Sequence, residues 1–136
     1  MKHLLTVTTV IEAGVGLALL VVPSVVIQLL LGAEISGAAV PLGRVAGTAL
    51  LALGVACWLA RSDVQSRAAR GVVAAMLLYN FGAVVILGAA DISSQTVRIA
   101  LGLAVILHSA MAVWCVTSLL AARRPRLIDN ATSTRR

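Results

Sequence analysis

The fold class is decided by the stretch GVVAAMLLYNFGAVVILGAA, residues 71–90, which contains no charged side chain. A helix of that length rises about 30 Å, which matches the hydrocarbon core of a bilayer. Three more apolar stretches of similar length lie at residues 4–22, 42–60 and 99–122. The chain is 60% hydrophobic and 12% charged, whereas about a quarter of the residues of a soluble domain are charged. We therefore predict an all-α, integral membrane four-helix bundle over residues 1–124, followed by a basic tail at 125–136.

The placement of the basic residues predicts the orientation of the bundle, since cytoplasmic loops carry the excess of lysine and arginine. Two of the eleven, Arg44 and Arg98, lie at the same side as Glu34 and Asp91. The other nine flank the N-terminus, the middle loop and the tail: Lys2, Arg61, Arg67, Arg70, Arg123, Arg124, Arg126, Arg135 and Arg136. Both chain ends are thus predicted to be cytoplasmic. This placement explains the net charge of +6, so the expected partner is the lipid bilayer and not nucleic acid.

Pro23 interrupts the first apolar stretch and opens a short segment that closes at Gly32. Proline at the start and glycine after the end are typical of a helix, but residues 24–31 are too few to cross a bilayer. Two interpretations are open. The segment is either a short helix at the membrane interface or an extension of the first span past a proline kink.

Three polar residues fall near the middle of the predicted spans: Glu12, Asn80 and His108. Because a polar or charged group in mid-bilayer is costly, such residues usually face the bundle and have partners. One interpretation is a hydrogen-bonded plug that fixes the helix register, with Glu12 protonated or sharing a proton with His108. The other is a ligand or proton site, for which Tyr79 is a further candidate beside a packing role.

Arg44, near the outer end of the second span, also has two interpretations. It is either an interfacial anchor whose charge reaches the headgroups, or a functional residue that pairs with Glu34 or Asp91 or contacts an anionic ligand. Three glycines of the same span, Gly43, Gly47 and Gly54, form a small-residue stripe. Such stripes allow close helix packing, either within the bundle or with a second copy or another membrane protein.

Sulfur-bearing side chains lie inside the spans, at Cys57, Met76, Met111 and Cys115. Thiolates and thioethers are ligands of soft metals such as Cu(I) or Hg(II). No C-x-x-C, M-x-x-x-M or paired-histidine motif accompanies them. We therefore expect packing roles, with metal binding as the lesser alternative, and we expect no cofactor.

Two families share features with the chain. Glu12 within Val10–Gly14 is similar in position to the single membrane glutamate of small multidrug resistance transporters, although the Trp-Gly signature of that family is absent. More broadly, residues 1–61 resemble small four-helix bacterial inner-membrane proteins of the DoxX-like kind. The motifs that carry this resemblance are Leu-Val-Val-Pro, Leu-Leu-Gly, Gly-Arg-Val-Ala-Gly and Leu-Ala-Leu-Gly. It implies an architecture and a bacterial inner-membrane location, but no activity.

The sequence contains no nucleophile elbow, phosphate loop or zinc-binding helix motif, so an enzyme is not the expected class. The leading hypothesis is an accessory or small-ligand-binding module with a buried Glu12–Asn80–His108 centre. The alternatives are a proton-coupled transporter of a small solute that uses Glu12, and a protein that binds or transports a soft metal.

Overall fold

A computed structural model describes residues 1–90 and 95–122. Within these residues the chain is all-helical and contains no strand. The five helices are α1 (Lys2–Val21), α2 (Pro23–Leu31), α3 (Ala39–Ala60), α4 (Arg67–Gly88) and α5 (Gln95–Ala121). All but α2 are long and apolar enough to cross a membrane. The predicted fold class is confirmed. The tail at 125–136 lies outside the described residues.

The four long helices alternate in direction, so one end of the bundle carries Met1, the α3–α4 connection and the end of α5. We call this the Met1 end and the opposite one, which carries α2, the α2 end. The closest helix pairs are α1 with α3 and α4 with α5, while α2 contacts α1, α3 and α5. Neighbours in space are therefore not always neighbours in sequence.

The helices begin a few residues before the predicted apolar stretches. The clearest case is α4, which begins at Arg67, four residues before residue 71. Ser66 caps it, because its side-chain oxygen accepts a hydrogen bond from the backbone N–H of Ala69 at 3.0 Å, as Ser often does at this position. The first turn of α4 thus includes charged residues, which the prediction from apolar stretches left out.

The segment that Pro23 opens is a separate helix of nine residues, which confirms a short helix after Pro23. The break lies at Val22, whose backbone is outside the helical region (φ −130°, ψ 57°). The helix ends at Gly32, which adopts the left-handed conformation (φ 67°) that favours glycine. It lies across the α2 end of the bundle, with Pro23 against Gly43 of α3 and Gly32 against Val97 of α5.

The glycine stripe of α3 is buried and faces inward, toward α1 and α2. A Cβ built on Gly47 would lie 2.6 Å from the carbonyl oxygen of Gly16, so the two backbones are in contact. Further along the stripe, the hydroxyl of Thr9 is shared between the carbonyl of Leu5 in its own helix at 2.8 Å and the carbonyl of Gly54 at 3.2 Å. The stripe therefore serves packing within the chain. Contact with a second copy through the same residues stays a prediction.

The outward faces of the long helices are apolar. Leu42, Leu78 and Ile86 are among the most exposed side chains, at 68, 73 and 73%. In water such a surface would be strongly unfavourable, whereas lipid chains cover it without cost. Length, hydropathy and surface agree with a multi-pass membrane bundle.

Candidate functional site

The bond between Asn80 and His108 joins α4 to α5. Asn80 is 1% exposed, and its side-chain nitrogen donates to the carbonyl of Met76 at 2.8 Å. Its side-chain oxygen lies 2.8 Å from Nδ1 of His108. Because that oxygen can only accept, Nδ1 carries the proton, and Nε2 of the neutral ring is free to accept a hydrogen bond.

Tyr79 fixes the other side of the same imidazole. Its ring packs edge-on against His108, with the ring centroids 5.6 Å apart and the planes at 80°. This is a favourable arrangement for two aromatic rings. Two consecutive residues of α4 thus orient one histidine of α5.

Glu12 is 4% exposed on α1. Within residues 1–90 and 95–122, its carboxyl group has no hydrogen bond and no ion pair. Thr8, one helical turn before it, is 1% exposed, and its hydroxyl also lacks a partner in that part of the chain. Glu12, the third residue of the predicted centre, and Thr8 beside it therefore have no hydrogen-bond partner in the described residues.

Glu12, Tyr79 and His108 line one cavity of about 310 Å³. The rest of its wall is apolar and comes from α1, α2, α4 and α5: Ile11, Val15, Val26, Leu29, Leu30, Leu87, Ala100, Ala104 and Leu107. Asn80 is not part of this wall and lies behind His108. Of the three predicted residues, Asn80 is hydrogen-bonded to His108, and Glu12 lines the same cavity as His108.

The cavity opens sideways. Val15 of α1, Leu29 of α2 and Leu107 of α5 belong to its wall and are also 43, 67 and 43% exposed on the outside of the bundle. These exposed wall residues are apolar, like the outward faces of the long helices.

Arg44 lies away from this site. It is exposed, and it is not among the residues that line the cavity. No ion pair with Glu34 is formed in the described part of the chain, and Asp91 lies outside the described residues. A ligand contact by Arg44 stays a prediction.

The four sulfur residues named from the sequence come together in a second place. Cys57, Met76, Met111 and Cys115 belong to one buried cluster at the Met1 end, together with Leu4, Leu5 and Val73. The described residues contain no group of three or more His, Cys, Asp or Glu side chains that could hold a metal ion. Any metal site here would depend on thioethers.

Two parts of the site were not predicted from the sequence. Thr8 lies four residues before Glu12, on the same helix face, and that spacing could have identified it. The α2 wall of the cavity, Val26, Leu29 and Leu30, left no such signal, because an apolar segment that lies on lipid and one that lies on a cavity have the same composition.

Comparison of the chain with protein-family models, with curated proteins and with solved structures found no match.

Proposed function

We infer that the protein is a non-enzymatic, multi-pass membrane protein that binds a small, mostly apolar molecule with one polar group. The observation that carries this is the cavity of about 310 Å³, whose three polar side chains, Glu12, Tyr79 and His108, stand in an apolar wall. Sites for small molecules are of this kind: concave, mainly apolar, with a few polar groups that orient the ligand.

The chemistry of the three groups restricts the polar end of the ligand. Nε2 of His108 accepts a hydrogen bond, the Tyr79 hydroxyl donates or accepts one, and the Glu12 carboxyl does either. Glu12 has no cationic partner in the described residues, and an isolated carboxylate in an apolar wall is costly. An amine on the ligand would supply the missing positive charge, and a hydroxyl would supply a neutral hydrogen bond.

The proposed location is a bacterial inner membrane with both chain ends in the cytoplasm. The support is the distribution of basic residues, nine against two, together with the resemblance to DoxX-like proteins. The contact of Arg61 with Trp58 gives further support for a membrane–water interface at the Met1 end. The guanidinium of Arg61 stacks on the Trp58 ring at 3.1 Å from the centroid, and both residue types are common at such interfaces. The cavity then lies toward the outer leaflet.

Binding can be tested with probes that share one alkyl chain and differ in the head group: octylamine, octanol and octane. Thermal unfolding of the protein in lipid nanodiscs is followed by tryptophan fluorescence. We expect octylamine and octanol to raise the Tm more than octane does. Glu12→Gln should remove the advantage of the amine and keep that of the alcohol. Equal shifts for all three probes would contradict the proposal.

A matched pair of variants separates the cavity from general effects of the probes on the bilayer. Ala104→Leu fills the cavity from α5, whereas Ala110→Leu places the same side chain on an exposed position of the same helix. The first should abolish the Tm shift by octylamine and the second should preserve it. A shift that survives Ala104→Leu would place the probe elsewhere.

A proton-coupled transporter is the second candidate, and the unpaired Glu12 carboxyl at a laterally open cavity favours it. Transport requires a path to the Met1 end, which is closed by the buried cluster that contains Leu4 and Leu5. The protein is reconstituted in vesicles with an imposed pH gradient, and uptake of radiolabelled octylamine is measured. Uptake by the wild type that Glu12→Gln abolishes would establish transport. Binding without uptake would support the accessory module.

A further inference from the structure

The chain has two cysteines and three methionines, and all five meet in one region. Cys57, Met76, Met111 and Cys115 lie within the buried cluster at the Met1 end, and Met1 packs against it. Met111 and Cys115 are one turn apart on α5, so they share a face, while α3 and α4 supply Cys57 and Met76. No sulfur-bearing side chain of the chain lies elsewhere.

We propose that this sulfur cluster is a binding site for a single Cu(I) ion, held by cysteine thiolate and methionine thioether ligands. The sulfur residues do not line the cavity of Glu12, although Ile11 and Tyr79 border both places, and the proposal does not depend on the function proposed for that cavity. Thiolates and thioethers are soft ligands that bind Cu(I) in preference to Mg(II) or Ca(II), and thioethers are poor ligands of the harder Zn(II).

The charge balance favours a monovalent ion. The cluster members other than the sulfur residues are aliphatic, so an uncompensated charge would be expensive there. Cu(I) with one thiolate is neutral, and the thioethers and the second thiol add no charge. Zn(II) with one thiolate would keep a net positive charge, and it would become neutral only if both Cys57 and Cys115 lost their protons.

A route into the cluster starts at the Met1 end. A recess of about 480 Å³ is lined by Met1, Arg70 and Ser118 among others, and Met1 also packs on the cluster. Because Arg70 repels a bare cation, the form of copper that fits this recess is an anionic complex with small thiols.

The transfer is a ligand exchange without change of oxidation state. The S–H bond of a cysteine breaks, its sulfur bonds to Cu(I), and the bond between Cu(I) and one small thiolate breaks. That departing thiolate takes the proton. Thioethers then complete the coordination as the remaining small thiolate leaves with a proton from solvent.

The test uses the full chain in detergent, reduced and free of oxygen, with Cu(I) supplied as its glutathione complex. Bathocuproine disulfonate competes for the metal, and its coloured Cu(I) complex reports the copper that the protein does not hold. We expect the wild type to retain one Cu(I) per chain. Complete loss to the chelator would overturn the proposal.

Three variants identify the ligands. Met76→Leu/Met111→Leu removes two thioethers while it conserves volume, a class of change that cores tolerate, and it should lose the copper. Cys57→Ala/Cys115→Ala should lose it as well. Ala110→Leu, on the exposed face of α5, should retain it. Retention by either double variant would overturn the assignment, since the metal would then be held by other groups.

X-ray absorption of the copper-loaded wild type covers the case in which the cysteine variant fails to fold. We expect a first coordination shell of sulfur alone. Nitrogen or oxygen in that shell would point to the chain terminus or to histidine, and would likewise overturn the proposal.

Discussion

The two ends of the bundle are built from the same four helices, yet their interiors differ: beneath its surface recess the Met1 end is filled, whereas the α2 end is hollow. At the Met1 end, Leu4, Leu5 and Cys57 are at most 1% exposed and meet side chains of α4 and α5. At the α2 end, a short helix lies across the bundle and leaves a cavity of about 310 Å³ beneath it. The filled end gives the fold its stability, and the hollow end offers space for a ligand.

One wall of the hollow end is fixed by backbone contact. α1 touches α3 through Gly16 and Gly47, while Ile11 and Val15, on another side of α1, line the cavity. The glycine contact thus sets the position of a helix that forms part of the cavity wall.

The largest effect is expected for Gly47→Leu. A side chain there must displace the backbone of Gly16 and Leu20, which a Cβ would approach to 2.6 and 2.7 Å. We expect a loss of about 3 kcal/mol or more of unfolding free energy, measured by steric trapping or SDS titration. Gly14→Leu is the control, because Gly14 is exposed and a Cβ there meets nothing within 4 Å. Equal losses would refute the backbone contact.

The second-largest difference in stability is expected between a substitution in the filled end and one in the hollow end. Leu5→Ala creates a void at a site with 0% exposure and should cost about 2 kcal/mol or more. Leu29→Ala, at the cavity rim and 67% exposed, should cost well under about 1 kcal/mol. Unfolding in SDS measures both. A similar cost at the two positions would show that the ends are packed alike.

A smaller effect is expected for the bond between Asn80 and His108. A double-mutant cycle of Asn80→Leu and His108→Phe should give a coupling energy of about 0.6–1.7 kcal/mol, the range found for hydrogen bonds between membrane helices. The corresponding cycle of Asn80→Leu with Ser109→Ala should show no coupling, since the Ser109 hydroxyl donates to Val105 within α5. Zero coupling in the first cycle would mean that the bond contributes nothing.

The smallest effect on stability is expected for Glu12→Gln. Its carboxyl has no partner in the described residues, so the change breaks no bond, and we expect a difference within about 0.5 kcal/mol. The same variant should strongly weaken octylamine binding. A large loss of stability without a loss of binding would identify Glu12 as a structural plug instead.

The four long helices could be predicted from the sequence, because residues 71–90 and the three similar stretches are too apolar to be exposed to water. It also predicted the break at Pro23, and it named Asn80 and His108, which are hydrogen-bonded to each other in the structure. It could not show which face of a helix meets which neighbour, since in a membrane protein both the lipid-facing and the bundle-facing sides are apolar. For that reason the α2 wall and the inward direction of Gly47 emerged only from the structure.

The pairing of α1 with α3 has a consequence for biogenesis. During synthesis α1 is made before α3, so Thr8 and Glu12 are not covered by α3 until that helix has been translated and inserted. In contrast, α4 and α5 are consecutive and can associate as a hairpin soon after both have emerged. The first span therefore passes through a stage in which its polar residues face lipid or the insertion machinery, and assembly of the bundle begins when Gly47 reaches Gly16.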